Sequence, residues 1–127
     1  MSIHLKRVTY NNHGFLTLNT AFVSYPDILD MSTIGNLRSD DYPTDIKYKL
    51  SGVIEHFGSP HGGHYVAYRP LFTHNHEKGM GREDEKWLLC DDSKITYVHK
   101  QDVLRRKAYM LIYEKMQPLK LENEGVS

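Results

Sequence analysis

The sequence predicts an α+β domain that is mainly antiparallel β with a single short helix. Three observations lead there. Short runs of β-forming residues alternate apolar with polar, clusters of Gly, Pro, Asn and Asp separate them, and only Lys100 to Arg106 spaces its apolar residues as a helix does. A chain of 127 residues is long enough for one compact domain and no more. Its 39% hydrophobic and 25% charged content is ordinary globular usage, so disorder is not the expectation.

The first run, Ile3 to Tyr10, alternates as a half-buried strand, and Asn11-Asn12-His13-Gly14 is turn chemistry that lets Phe15 to Leu18 return beside it. A strand this close to the first residue reads as a chain that begins inside a sheet. Ala21 to Tyr25 is expected as a short strand stopped by Pro26, and Asp27 to Met31 as no more than a turn of helix. From Ser32 to Asp45 small, polar and acidic residues predict a loop. Ile46 to His56 alternates over enough length for a long strand. Phe57 to Gly63, with three glycines and a proline, is a loop, and His64 to Arg69 is the next strand. Pro70 to Lys86 is polar and is expected as an exposed connection, with His74, His76 and Glu77 on the surface. Trp87 to Asp91 and Ile95 to Val98 are short strands. Lys100 to Arg106 turns Val103 and Leu104 to one side, and Ala108 to Tyr113 is a buried closing strand. Residues 1–115 form the expected domain, and 116–127 a polar, frayed tail.

Composition removes several classes of function. Lys plus Arg and Asp plus Glu balance at 16 each, so no global field points to nucleic acid or an anionic membrane. No run is apolar enough to span a bilayer, and the start has no signal-peptide core. The single cysteine, Cys90, excludes an internal disulfide framework and a multi-cysteine zinc site, and suits a reducing, intracellular compartment. His56, His61 and His64 are not spaced as helical zinc ligands and have no fitting carboxylate beside them, so no metal and no cofactor is expected. Leu104-Arg105-Arg106-Lys107 is basic at a helix C-terminus, where cations suit the dipole.

His64 follows Gly62-Gly63 at a junction of loop and strand. The strand start holds a general base rigidly, and the glycines leave room for a peptide to reach it. If the strand ending at Asp91 pairs with this one, the Asp91 carboxylate can accept the other ring N–H and fix the tautomer. Alternation sets Asp91 on the face of Leu89 and Trp87, with Cys90 and Asp92 opposite, so only one of the aspartates reaches His64 easily. Spacing alone favours the plainer account, a glycine-flanked loop histidine and an Asp-Asp turn.

Five segments in order carry a resemblance. Leu50 to Gly58 followed by Gly62 to Tyr68 resembles the histidine box of the ubiquitin-specific proteases. Trp87 to Ile95 resembles the segment bearing that family's third triad member, and Ala108 to Glu114 its closing strand. Ile3 to Arg7 and Val23 to Pro26 resemble two earlier elements. The resemblance implies the palm part of a thumb-palm-fingers domain, a partial papain-like cysteine protease fold. It implies cleavage after the C-terminal Gly-Gly of ubiquitin, with ubiquitin and ubiquitinated proteins as partners. His64 falls on the catalytic histidine, Asp91 on its orienter, and Asp92 on the neighbour able to substitute. Gly62, Gly63, Tyr65 and Tyr109 fall where ubiquitin's tail is contacted, and the loops at Tyr10 to Gly14 and Gly58 to Gly63 match two loops that gate the cleft.

Two departures qualify it. The family's cysteine box lies upstream of anything in this sequence. Cys90 reads as a small strand residue on the face opposite Asp91, so the chain is expected to be inactive alone and to need an upstream half. The alternative is a catalytically inactive ubiquitin-binding or regulatory module. Ile3 to Arg7 with Asn12-His13-Gly14 is also similar to a mitochondrial outer-membrane branch, whose preferred serine Asp91 does not match; a cytoplasmic site is the leading expectation.

Overall fold

A computed structural model describes residues 1–33, 46–71 and 85–116. Along them run β1 (Ser2–His4), β2 (Val8–Tyr10), β3 (Leu16–Leu18), β4 (Ile28–Asp30), a 3-10 turn at Met31–Thr33, β5 (Lys47–Phe57), β6 (His64–Pro70), β7 (Lys86–Asp91), β8 (Lys94–His99), α1 (Lys100–Val103) and β9 (Ala108–Lys115). The α+β, mainly antiparallel expectation holds. Most of the expected 32–45 loop and 70–86 connection, including His74, His76 and Glu77, and nearly all of the 116–127 tail lie outside the described residues. Among the described residues, no helix is long and apolar enough to cross a membrane.

One antiparallel sheet runs in the order β1-β9-β5-β6-β7-β8, and β2 and β3 form a separate ribbon. The long β5 is its spine. One edge pairs with β9, while the other is shared, β4 taking Lys47 to Lys49 and β6 taking Val53 to Phe57. Alternation follows from this register. Val53 pairs with Tyr68 and Leu111, and these residues bury one face with Leu50, Trp87 and Tyr113. Val103 of α1 and Tyr25 close that core, and Leu104 packs against it, as its helical spacing suggests.

Three expectations are corrected. The first run is not one strand: β1 pairs with β9, β2 pairs with β3, and the chain turns aside between them. The cause is Arg7, which is buried and donates from Nε to the Ala108 carbonyl and from Nη1 to those of Asn19 and Ala21. The expected strand at Ala21 to Tyr25 does not form, and the strand lies beyond Pro26 instead. Side chains hold this stretch where a ladder would otherwise do so. Besides the Arg7 contacts, the Tyr25 hydroxyl donates to the carbonyls of Val103 at 2.6 Å and Arg106 at 3.1 Å. Past Pro26 the backbone meets β5, the Leu50 amide donating to the Asp27 carbonyl, and β4 follows. The helix is also shorter than its spacing suggests, ending at Val103 with turns through Arg106.

Under β5 lies a buried carboxylate. Glu55 accepts from Tyr68 Oη at 3.1 Å, Arg106 Nε at 3.0 Å and the Lys107 amide at 3.3 Å. These bonds satisfy a charge that would otherwise be costly there. Burial first, and then the Glu55 charge, pushes the Tyr68 hydroxyl up to about 12.

Tyr25→Phe removes a buried donor from two carbonyls and should lower unfolding free energy by about 1–2 kcal/mol in urea denaturation. An unchanged midpoint would mean that the hydroxyl does not hold this segment to α1.

Candidate active site

The sheet register brings His64 and Asp91 together. Ala67 pairs with Cys90, so one step further along the ladder Val66 faces Asp91. His64 lies two residues from Val66, on the same face, and is therefore the diagonal neighbour of Asp91. Its Nε2 meets Asp91 Oδ1 at 2.5 Å, a short bond between side chains that are 46% and 43% exposed. Nδ1 is left as the ring nitrogen free for chemistry. The same alternation turns Cys90 to the opposite face of the sheet from His64.

The Asp91 hydrogen bond raises the pKa of His64 above its ordinary value. The Asp91 and Asp92 charges add to the rise, and partial desolvation opposes it. Asp92 occupies the two-residue turn between β7 and β8 with φ 51°, a left-handed conformation that Asp tolerates better than most residues. It is exposed and stands to the side of the pair.

The polar atoms of His64, Asp91 and Asp92 lie within 4.8 Å of one another, close enough to consider a shared cation. The existing bond argues against a good fit. Two ligands on one tetrahedral zinc stand about 3.3 Å apart, given metal–ligand bonds of roughly 2.0–2.1 Å. His64 and Asp91 are closer than that and already satisfy each other.

The two glycines before His64 differ in what they do. Nothing lies within 4 Å of a side chain at Gly62. At Gly63, φ is +146° and a Cβ would fall 2.2 Å from the Phe57 carbonyl oxygen and 2.6 Å from His56 Nε2. Only glycine fits there. This close approach closes the end of the β5–β6 loop and delivers the chain into His64.

One residue after His64, and turned by strand alternation to the other face of the sheet, Tyr65 belongs to an aromatic group. Tyr65 and Tyr109 approach with ring centroids 5.5 Å apart, and His56 lies 4.7 Å from Tyr65 and 5.9 Å from Tyr109. His4 meets the edge of Tyr109 at 4.6 Å. Tyr65 reaches the group by pairing directly with His56 across β5 and β6. Tyr109 reaches it through a bulge: Ile54 pairs with Met110 and Glu55 with Ala108, so Tyr109 is the extra residue and its ring is re-aimed. Desolvation, and then the neighbouring Tyr65 hydroxyl, raises the Tyr109 pKa. A shallow groove bounded by Arg7, Asn19, Thr20, His56, Lys107 and Tyr109 adjoins the group. The sequence pairs neither His4 nor His56 with these tyrosines. Spacing could have hinted at His56 only through its place opposite Tyr65.

A half-exposed histidine hydrogen-bonded to a carboxylate is an arrangement able to take and give a proton. A family model for ubiquitin carboxyl-terminal hydrolase matches residues 1–113, and the chain belongs to that family. It is 34% identical over 117 residues to the probable ubiquitin carboxyl-terminal hydrolase 8 of Schizosaccharomyces pombe, covering 92% of this chain and 22% of that protein. Against ubiquitin carboxyl-terminal hydrolase 1 of Arabidopsis thaliana it is 27% identical over 121 residues, covering 91% of this chain and 11% of the relative. A structure of the SAGA Ubp8/Sgf11/Sus1/Sgf73 DUB module bound to ubiquitin aldehyde superposes with a TM-score of 0.72 at 26% identity, over 91% of this chain and 24% of the other. The fold is thus consistent with part of a ubiquitin-specific protease domain. The chain spans between about a tenth and a quarter of the proteins it matches.

In an NMR titration His64 should titrate above the ordinary 6.5, and Asp91→Asn should return it toward that value, with Asp92→Asn having the smaller effect. Because the folded value is raised, the pair stabilises the fold below the ordinary histidine pKa. That stability is lost as pH rises through the raised value. A His64 titration indifferent to Asp91→Asn would contradict the pairing.

Proposed function

We propose that this chain is the histidine-bearing, C-terminal part of a deubiquitinating thiol protease catalytic domain, spanning residues 1–115. The bond between His64 Nε2 and Asp91 Oδ1 is the observation that carries the reading. Asp91 accepts a hydrogen bond from the Nε2–H, fixes the ring and leaves Nδ1 as the base. A cysteine from outside these 127 residues gives its thiol proton to Nδ1. The thiolate then attacks the carbonyl carbon at the C-terminal glycine of ubiquitin. The protonated Nδ1 next donates to the departing amine, and the acyl-enzyme is hydrolysed by water that Nδ1 activates. An imidazole with a raised pKa favours the thiolate–imidazolium pair this needs.

Gly62, Gly63, Tyr65 and Tyr109 are proposed to receive the ubiquitin tail. A side chain at Gly63 would collide with the Phe57 carbonyl, and Tyr109 lines the groove with Tyr65 packed against its ring, both offering apolar area and a hydroxyl. Asp92 is proposed as a weaker substitute for Asp91. Cys90 is not the proposed nucleophile, because strand alternation points it away from His64.

Joined to a cysteine-bearing upstream half, the chain should release a fluorophore from the ubiquitin C-terminus. His64→Ala should lower kcat/KM by about a thousandfold or more, and Asp91→Ala by less if Asp92 compensates. Turnover retained in the His64 variant would overturn the assignment.

A further inference from the structure

Nothing in the proposed chemistry uses His56, yet it occupies the position that shapes the loop into His64. We propose that His56 is a positioning residue for His64: its Nε2–H donates to the Gly62 carbonyl, and its ring forms the wall against which Gly63 packs. The proposal rests on the reading of His64 as the base, and its test is independent of any activity.

Three observations carry it. The His56 Nε2 lies 3.2 Å from the Gly62 oxygen. A Cβ on Gly63 would come within 2.6 Å of that same nitrogen, so the ring and the absent side chain fit each other. The ring is itself held, against Tyr65 at 4.7 Å and Tyr109 at 5.9 Å, with Tyr109 brought over by its bulge. Phe57 pairs with His64 in the ladder, so the loop from Gly58 to Gly63 is closed by backbone pairing at its base and by His56 from one side.

The consequence is geometric. A bond from Nε2 to a carbonyl requires that nitrogen to carry the proton, which fixes the His56 tautomer and the direction of the Gly62 peptide. That direction sets the path through Gly63 and hence the start of β6. His64 is the first residue of β6, and its bond to Asp91 is a diagonal contact that a small change in strand trajectory would lengthen. A positioning error far smaller than a side chain is enough to weaken such a site.

The test is nitrogen-15 NMR of the 127-residue chain with two variants. In the wild type, His56 should carry its proton on Nε2. His56→Phe keeps a ring between the tyrosines but has no donor, and the His64 titration should move down toward the ordinary value as its Asp91 bond loosens. His56→Gln places an amide N–H near the position of Nε2 and should restore the wild-type titration. A neutral His56 protonated on Nδ1 would overturn the proposal without recourse to either variant. So would a His64 titration unchanged in a folded His56→Phe chain, or a His56→Gln chain that behaves like His56→Phe. If the deubiquitinase reading alone were wrong, these titrations would stand while ubiquitin hydrolysis failed. If the positioning alone were wrong, His64→Ala would still abolish turnover.

Discussion

The register between β6 and β7 is the constraint on which the rest depends. With Ala67 opposite Cys90, His64 and Asp91 are diagonal neighbours on one face. A slip of one residue would send one of them to the other face of the sheet and separate them. The register is held by burial, since the same alternation places Val66, Tyr68 and Trp87 in the core. The geometry of the His64–Asp91 pair is therefore enforced by packing several residues away. Glu55 contributes from below, tying β5 to Tyr68 of β6 and to the turn after α1 through charged hydrogen bonds.

The strands from β5 onward were legible in the sequence because they carry strong alternation and clear turn residues. Glycines punctuate the β5–β6 loop, and Asp92-Ser93 the β7–β8 hairpin. Of the first 27 residues only the turn at Asn11 to Gly14 and its returning strand were, and the physical reason is specific. Arg7 and Tyr25 bond to carbonyls about 100 and 80 positions away in sequence, at Ala108 and Val103. A polar residue serving as an internal anchor looks like a solvent-facing position when only neighbours are read. Binary patterning therefore joined two strands across Arg7 and set a strand before Pro26 instead of after it.

The site was legible to a different degree. Gly63, His64 and Asp91 belong to a recognisable series of motifs, and alternation allowed only one of Asp91 and Asp92 to reach His64 easily, the choice of Asp91 resting on the resemblance. The distinction between Gly62 and Gly63 lies in the folded chain, where only the close approach of the Phe57 carbonyl separates them. The aromatic group was hidden by a bulge. A regular ladder would carry Tyr109 to the core face, and one extra residue in β9 moves it beside His56. Irregularities of this kind leave no periodic trace in sequence, and they are common where strands build sites.

The central claim is that this chain supplies an oriented base while its thiol comes from elsewhere. The most direct measurement is mass spectrometry of the purified chain after incubation with ubiquitin bearing a thiol-reactive electrophile at its C-terminus. The account predicts no adduct, because Cys90 points away from His64. An adduct on Cys90 that disappears in His64→Ala would contradict it, since that outcome requires the single thiol of the chain to meet the histidine it is assigned to face away from.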